Sequence, residues 1–307
     1  MKGRRLAKTG RLMKKYWILY LMLLAPVAAV IIFHYIPFYG ILMAFTNYKP
    51  SLGILGSKWV GWKHFKTFID YPYFWRLVKN TLTLSFYALI AFPLPIALAV
   101  MFNELRSNKL KKISQTILYA PHFVSTVVVC AMTLMFIKQD GGLVNMIIEL
   151  FGGEAKEWIS YPNLFASIYT ASGIWTSLGW GTIIYTASLA SLSRDHVEAA
   201  RIDGASRMQV IWHIYIPHMR PTIILQLILQ LGSVMSIGFE KVYLLQNPLN
   251  LTASSVISTY SYGVGLVGGE YSYATAIGLF NNIVNIIIVL VMNFISKKVS
   301  DDKTGLL

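Results

Sequence analysis

Carboxylates are scarce in this chain. Its 307 residues include 13 Asp and Glu against 27 Lys and Arg, and charged residues of both signs make up only 13%. A soluble domain carries about 25% charge, so an ordinary water-facing surface is excluded. Cysteine is nearly absent as well. The single one, Cys130, rules out a disulfide framework and a cysteine-based metal site, and its place inside an apolar run points to packing. The dipeptide Gly-Lys never occurs, so there is no GxxxxGK[ST] phosphate loop and no ATP hydrolysis by the chain itself. Ionisable residues in the apolar runs are sparse, and the ones that stand out are His122 and the pair Glu240 and Lys241. An ion-coupled carrier needs intramembrane carboxylates as its relay. A membrane-face enzyme needs paired carboxylates or a nucleophile with its base. Intramembrane carboxylates are nearly absent, which argues against the first, and the sequence shows no such arrangement for the second.

What it has is apolar length. Hydrophobic residues make up 55%, and a bilayer span needs about 20 of them in a row. Six runs qualify, at residues 16–45, 80–102, 116–137, 164–192, 222–245 and 274–295. The first is long and is expected to bend near Pro37. Its start, MKGRRLAKTGRLMKKYW followed by APVAA, has elements of a cleavable signal, but the run continues to Phe45 and reads as a retained first span. Lys and Arg favour the cytoplasmic side. Seven lie before the first run, four in residues 103–115, four in 190–220 and three in the tail, against nine on the opposite side. Both termini and the 190–221 loop are therefore expected in the cytoplasm. Residues 1–15 form a basic cytoplasmic segment, and 16–307 form one transmembrane domain. The net charge of +14 suits anionic lipid headgroups. It does not suit nucleic acid, because the basic residues are spread over loops rather than gathered with aromatics on one face.

Two loops stand out. The outer one, WVGWKHFKTFIDYPYFWRLVKN, is dense in aromatics and reads as an interfacial helix in the aromatic belt, with partner docking as the alternative. The inner one contains EAARIDGASRMQVIWHIYIPHMRP. Asp195 and Glu198 read as a helix start, Gly204 as its stop, and Ser206 with Gln209 as a second start. Met208, Ile211, Trp212 and Tyr215 then form an apolar stripe on a second helix that Pro217 is expected to end. Such a pair could lie passively on lipid. The small, mixed-charge first helix, with Ala199, Ala200, Arg201 and Asp203, fits close docking against protein better.

The inner loop resembles the EAA loop of the permease subunits of binding-protein-dependent ABC importers. Glu198, Ala199, Ala200, Gly204, Pro217 and Pro221 match its pattern, and Ile216 replaces the usual Leu. The resemblance extends over nearly the whole chain and narrows to sugar permeases of the maltose-transporter type. DGGLVNMII at Asp140, WTSLGWGTIIYTASLASLSRDHVEAA at Trp175, and FEKVYLLQNPLN, VISTYSYGVGL and YSYATAIGLFNNIVN after Phe239 resemble the LplB-type branch, associated with oligosaccharides and polysaccharide fragments. The chain departs from the maltose permease in lacking extra amino-terminal spans and a large inserted outer domain.

This resemblance implies the all-α type I ABC importer permease fold with six transmembrane helices, in a bacterial cytoplasmic membrane. It implies no cofactor on this chain, with ATP and Mg bound by two partner ATPases. It also implies a second homologous permease, favouring a heterodimer, and an extracytoplasmic sugar-binding protein or lipoprotein. Coupling to the ATPase is assigned by resemblance to Glu198, Ala199, Ala200, Asp203, Gly204, Ala205 and Pro217. The substrate pathway, aligned on GLVN, on Glu198 and on LLQN, is assigned to His122, Ser125, Thr126, Trp175, Thr176, Ser177, Trp180, Ser233, Ser236, Phe239 and Glu240. Aromatic faces and a few placed hydroxyls suit sugar, although a Trp can equally face lipid and a Ser can simply let helices approach. An importer for another solute is the alternative function, and an ion-coupled carrier a more distant one.

Overall fold

The computed structural model describes residues 15–299, so the expected basic segment 1–15 lies outside it except for its last residue. Helix α1, Trp17–Val30, passes through a π-turn, Ile31–Tyr35, into a 3-10 segment, Ile36–Phe45. Pro37 therefore changes the type of helix rather than ending it. Proline lacks an N–H and its ring strikes the carbonyl four residues back, and the wider π-turn accommodates both. A short antiparallel hairpin follows, β1 Thr46–Lys49 and β2 Ser57–Trp59, with Thr46 opposite Trp59. The aromatic outer loop is thus part hairpin and part helix, the latter being α2, Lys63–Ile69. It is not simply a belt. Trp59, Trp62 and Trp75 are exposed, but Phe65, Phe68 and Phe74 are buried, Phe68 and Phe74 against Met235, Ile257 and Ile277.

Helices α3, Phe74–Ile90, and α4, Pro93–Glu104, form one crossing interrupted just before Pro93. Helix α5, Asn108–Tyr119, runs into a 3-10 turn, Ala120–Phe123, and then meets α6, Thr126–Ile137, at 101°. The expected third span, 116–137, is therefore two helices. Pro121 supplies no N–H to continue the first, and Ser125 starts the second by accepting from the Val128 N–H at 3.4 Å. Helix α7, Leu143–Leu150, leads to the long α8, Pro162–Ala190. Asn145, in the GLVN motif, is buried and knits the intervening excursion. Its Nδ2 donates to Lys138 O and Lys156 O, and its Oδ1 accepts from Trp158 Nε1.

Among the described residues, three helical runs are long and apolar enough to cross a membrane, Trp17–Phe45, Phe74–Glu104 and Tyr271–Phe294, and the bent α5–α6 pair would be a fourth. They correspond to the expected first, second, sixth and third spans. Helix α8, with 29 residues, extends about 43 Å at 1.5 Å per residue, but its Ser, Thr and Gly content makes it more polar. The expected fifth span, 222–245, is broken in the middle.

After α8 come α9, Arg194–Ile202, α10, Arg207–Val210, a π-turn, Ile211–Tyr215, and α11, Ile216–Leu231. Residues 232–238 unwind before α12, Phe239–Leu245. Short helices α13, Leu251–Ser254, and α14, Ile257–Tyr262, precede the final α15, Tyr271–Val299. The unwound 232–238 backbone is satisfied by side chains. Ser85 Oγ donates to Val234 O, Met235 N–H donates to Asn285 Oδ1 at 2.9 Å, and Ser258 Oγ donates to Ile237 O at 3.3 Å. Irregular backbone at membrane depth is tolerated only where protein or a cavity replaces the lost partners, and here protein does.

Candidate functional site

The inner loop folds as its sequence suggests, with corrections. Helix α9 is capped by Ser193, whose Oγ accepts from Asp195 N–H at 3.2 Å. Glu198 lies in the body of the helix with an exposed side chain, so it is not a cap. The helix stops at Gly204, where φ is +85°. Ala205 N–H reaches back to Ala200 O at 2.9 Å and Gly204 N–H to Arg201 O at 3.1 Å, the Schellman arrangement that favours glycine in the left-handed position. The second start is a capping box. Ser206 N–H donates to Gln209 Oε1 at 2.7 Å, and Gln209 N–H donates to Ser206 Oγ at 3.4 Å.

Beyond that point the expectation fails in two respects. Pro217 does not end the helix, since it sits in the first turn of α11 and the helical backbone continues to Leu231. The π-turn just before it widens the turn whose carbonyl the ring would otherwise strike. The same turn shifts the buried face. Val210, Tyr215 and Met219 point into the core, whereas Met208 and Trp212 of the expected stripe are about 60% exposed.

A network the sequence did not suggest ties this loop to the body. Glu104, the last residue of α4, accepts from Tyr215 Oη at 2.9 Å and lies 3.9 Å from Arg201 Nη2. Burial, with the Glu104 carboxylate beside it, pushes the Tyr215 hydroxyl up to about 12, so it remains a donor at any physiological pH. His218 Nε2 lies 3.0 Å from Ser188 O at the end of α8. Ala200 and Ala205 pack half-buried on this anchored core. Glu198, Ala199, Asp203 and Gly204 face outward, with Ile202 86% exposed. Between the loop and the ends of α4, α5 and α8 is a cleft of about 850 Å³ lined by Glu104, Glu198, Arg106, Arg194, Arg201 and Arg207 among others.

The residues expected along the pathway separate into three groups. Thr176 and Ser177 line a half-open cavity of about 590 Å³ bordered by α8, α11, α12 and the α3–α4 interruption. Ser233 and Ser236 line an adjoining pocket of about 200 Å³. Both spaces are bordered by Ala88, Tyr169 and Gln230, so these four hydroxyl residues occupy one neighbourhood. Ser236 Oγ accepts from Asn285 Nδ2 at 2.6 Å, and Ser233 Oγ donates to Gln230 O at 3.0 Å. Thr176 and Ser177 donate to carbonyls of their own helix.

His122 and Trp180 form a second group, stacked at 4.3 Å with planes 5° apart and Phe123 edge-on to the Trp at 5.7 Å. Phe239 joins a third, with Tyr243 at 5.1 Å and Tyr262 at 4.4 Å. Ser125 caps α6, and Thr126, Trp175 and Glu240 line neither cavity. The 590 Å³ cavity also contains residues absent from the sequence-based set: Tyr169, Thr170, Gln226, Gln230 and Lys241. Of these, Lys241 had a visible signal, as a lone cation in an apolar run.

Residues 91–301 match the family described as binding-protein-dependent transport system inner membrane component. Protein LplB of Bacillus subtilis (strain 168) is 42% identical over 305 residues, 99% of this chain and 95% of that one. The polygalacturonan/rhamnogalacturonan transport system permease protein YteP of the same organism is 42% identical, over 92% of this chain and 89% of its own. Among solved structures, a bacterial ABC transporter involved in import of the acidic polysaccharide alginate matches with a TM-score of 0.88 at 38% identity, covering 96% of this chain and 100% of that one. The alginate transporter has also been solved in complex with alginate pentasaccharide-bound periplasmic protein, with a TM-score of 0.87. The fold agrees along nearly its whole length. This chain belongs to the family of binding-protein-dependent ABC transporter permeases, membrane components rather than enzymes.

Proposed function

We propose that this chain passes an oligosaccharide, delivered by an external solute-binding protein, into the cytoplasm by alternating access. A separate ATPase drives it through the 190–221 loop. One observation carries the reading. Helix α9 rests on the body through Val197 and Ala200, half-buried against the inner core, with Arg201 beside Glu104, while Ala199, Ile202 and Asp203 are exposed among the described residues and Glu198 is exposed at the mouth of the cleft. A helix fixed at its back and bare at its front suits transmission of a push from a docked partner. The names of YteP and of the alginate transporter support a sugar as the cargo. In this reading both termini and the loop face the cytoplasm of a bacterium. A second permease completes the pathway, most simply as a heterodimer, and two ATPases bind ATP and Mg beneath.

The cavity bordered by Thr176, Ser177, Ser233 and Ser236 supplies hydroxyls at the helix breaks, and the His122 and Trp180 stack supplies an aromatic face beside them. Such a combination is what a sugar with apolar C–H faces requires. The test is uptake of labelled oligosaccharide into proteoliposomes holding both permeases and the ATPase, with binding protein outside and ATP inside. Uptake is expected to require both ATP and binding protein. Trp180→Ala is expected to slow it several-fold without loss of assembly, since losing one stacking face removes about 1 to 1.5 kcal/mol of contact. Uptake driven by an ion gradient without ATP would contradict the import reading. Wild-type kinetics in an assembled Trp180→Ala complex would remove the stack from the pathway.

A further inference from the structure

The 590 Å³ cavity holds a cation without a counter-ion. Lys241 Nζ donates to Tyr169 O at 2.6 Å and lies 4.5 Å from the centre of the Tyr169 ring, and both contacts favour the charged ammonium. An ammonium has three donors. One is spent on Tyr169 O, leaving two. No Asp or Glu lines this cavity, and among the described residues Lys241 makes no ion pair. Its sequence neighbour Glu240 is exposed and lines neither this cavity nor the adjoining one.

Space has been left for the charge. A Cβ on Gly173 would come within 3.0 Å of Lys241 Nζ, so glycine at that position lets the ammonium sit against the α8 backbone. Thr170 is on the same wall, but its Oγ1 is buried away from the open space and has no hydrogen-bond partner among the described residues. Gln226 and Gln230 complete the polar lining from α11, and Gln230 Nε2 is anchored to Ala88 O at 3.1 Å across the interrupted α3–α4 crossing. An intramembrane cation is costly and marks function by default. Here the cost is incurred beside two helix breaks, where transport proteins place their substrate sites.

We propose that this cavity binds an acidic sugar unit. The Lys241 ammonium takes the carboxylate of a uronic acid residue, and Gln226 and Gln230 take its hydroxyls. The proposal rests on the import reading above and specifies its substrate class at one atom. In this role Lys241 sets which sugars pass, while the hydroxyl and aromatic residues hold any sugar.

The test uses the complete transporter in proteoliposomes. A labelled uronic acid trisaccharide and the neutral hexose trisaccharide of the same linkage are each supplied with loaded binding protein in excess. The readout is the ratio of uronate to neutral uptake, with ATPase retention measured alongside. Wild type is expected to favour the uronate. Lys241→Gln should lower the ratio at least tenfold, and Lys241→Arg should keep it within about threefold, since either cation can pair a carboxylate. Gly173→Ala displaces the ammonium without removing its charge and should lower the ratio several-fold, giving an independent test should Lys241→Gln fail to assemble.

An unchanged ratio in Lys241→Gln would overturn the proposal. So would equal loss of both sugars, which would make Lys241 a structural pin on Tyr169 or the partner of a carboxylate on the second permease. Import of neutral sugar alone by wild type would overturn it while leaving the import reading intact. Import of neither sugar under ATP would remove both.

Discussion

Glu198→Lys is expected to leave the permease in the membrane and abolish uptake, with the ATPase lost from the purified complex or no longer stimulated by loaded binding protein. The helix itself has little reason to fail. Ser193, not Glu198, provides the cap. The change places a new cation four residues after Arg194 and three before Arg201, which costs about 0.2 to 0.5 kcal/mol per like-charged pair in a helix. At an interface the same reversal sets like charges together at a cost of several kcal/mol. The asymmetry between these magnitudes makes the variant informative.

Gly204→Val acts on the same coupling through geometry. A Cβ at 204 meets nothing within 4 Å, but φ is +85°, so the cost is conformational, about 1 to 2 kcal/mol, and falls on the turn that aims α10 relative to α9. It should reproduce the uptake defect with the protein still folded. Full ATPase retention and normal stimulated hydrolysis in both variants would sink the coupling assignment.

The second large effect concerns the body of the protein. Gly179 of α8 is buried, and a Cβ there would collide with the backbone carbonyl of Leu118 near the end of α5. Backbone cannot swing aside as a flexible side chain can. Gly179→Ala is therefore expected to cost about 3 kcal/mol, at the upper end of the overpacking range. It should also disturb the neighbouring His122 and Trp180 stack, whose halves lie just past the two colliding segments. The expected result is a low yield of assembled complex and a clear drop in melting temperature in detergent. A variant that melts as wild type would mean that α5 and α8 do not approach this closely. The Tyr119 Oη to Thr182 Oγ1 contact at 3.4 Å should be lost with it.

How much of this was legible in the sequence differed by element. The inner loop was legible because its determinants are local. A glycine at positive φ and a Ser-x-x-Gln box act within a few residues, and both appear where expected. Its errors were also local in origin. A π-turn absorbs Pro217, so the helix runs on, and the buried face runs through Val210, Tyr215 and Met219, leaving Met208 and Trp212 exposed.

The spans were legible as apolar runs but not as shapes. Hydropathy is blind to the 101° bend at 124–125, which Pro121 and the Ser125 cap set locally, and to the unwinding at 232–238, which depends on distant partners such as Asn285 for Met235. The pathway suffered for the same reason. Counting from motifs named Thr176, Ser177, Ser233 and Ser236, which border the two cavities, but Thr170, Gln226 and Lys241 come together only when α8, α11 and α12 pack. Glu104 and Tyr215, 111 residues apart, could not have been paired by spacing.

The account stands or falls on whether the outer face of α9 touches the ATPase. The chain suits a direct measurement, because its single cysteine, Cys130, is buried and can be replaced by Ser to give a clean background. Ala199→Cys then places one exposed thiol beside Glu198, to be labelled with a short cysteine-linked photocrosslinker in the assembled complex. The account predicts a light-dependent adduct between this chain and the ATPase whose yield changes when ATP is bound. An assembled, transport-active complex in which the probe at 199 captures only lipid or solvent, with and without ATP, would contradict it.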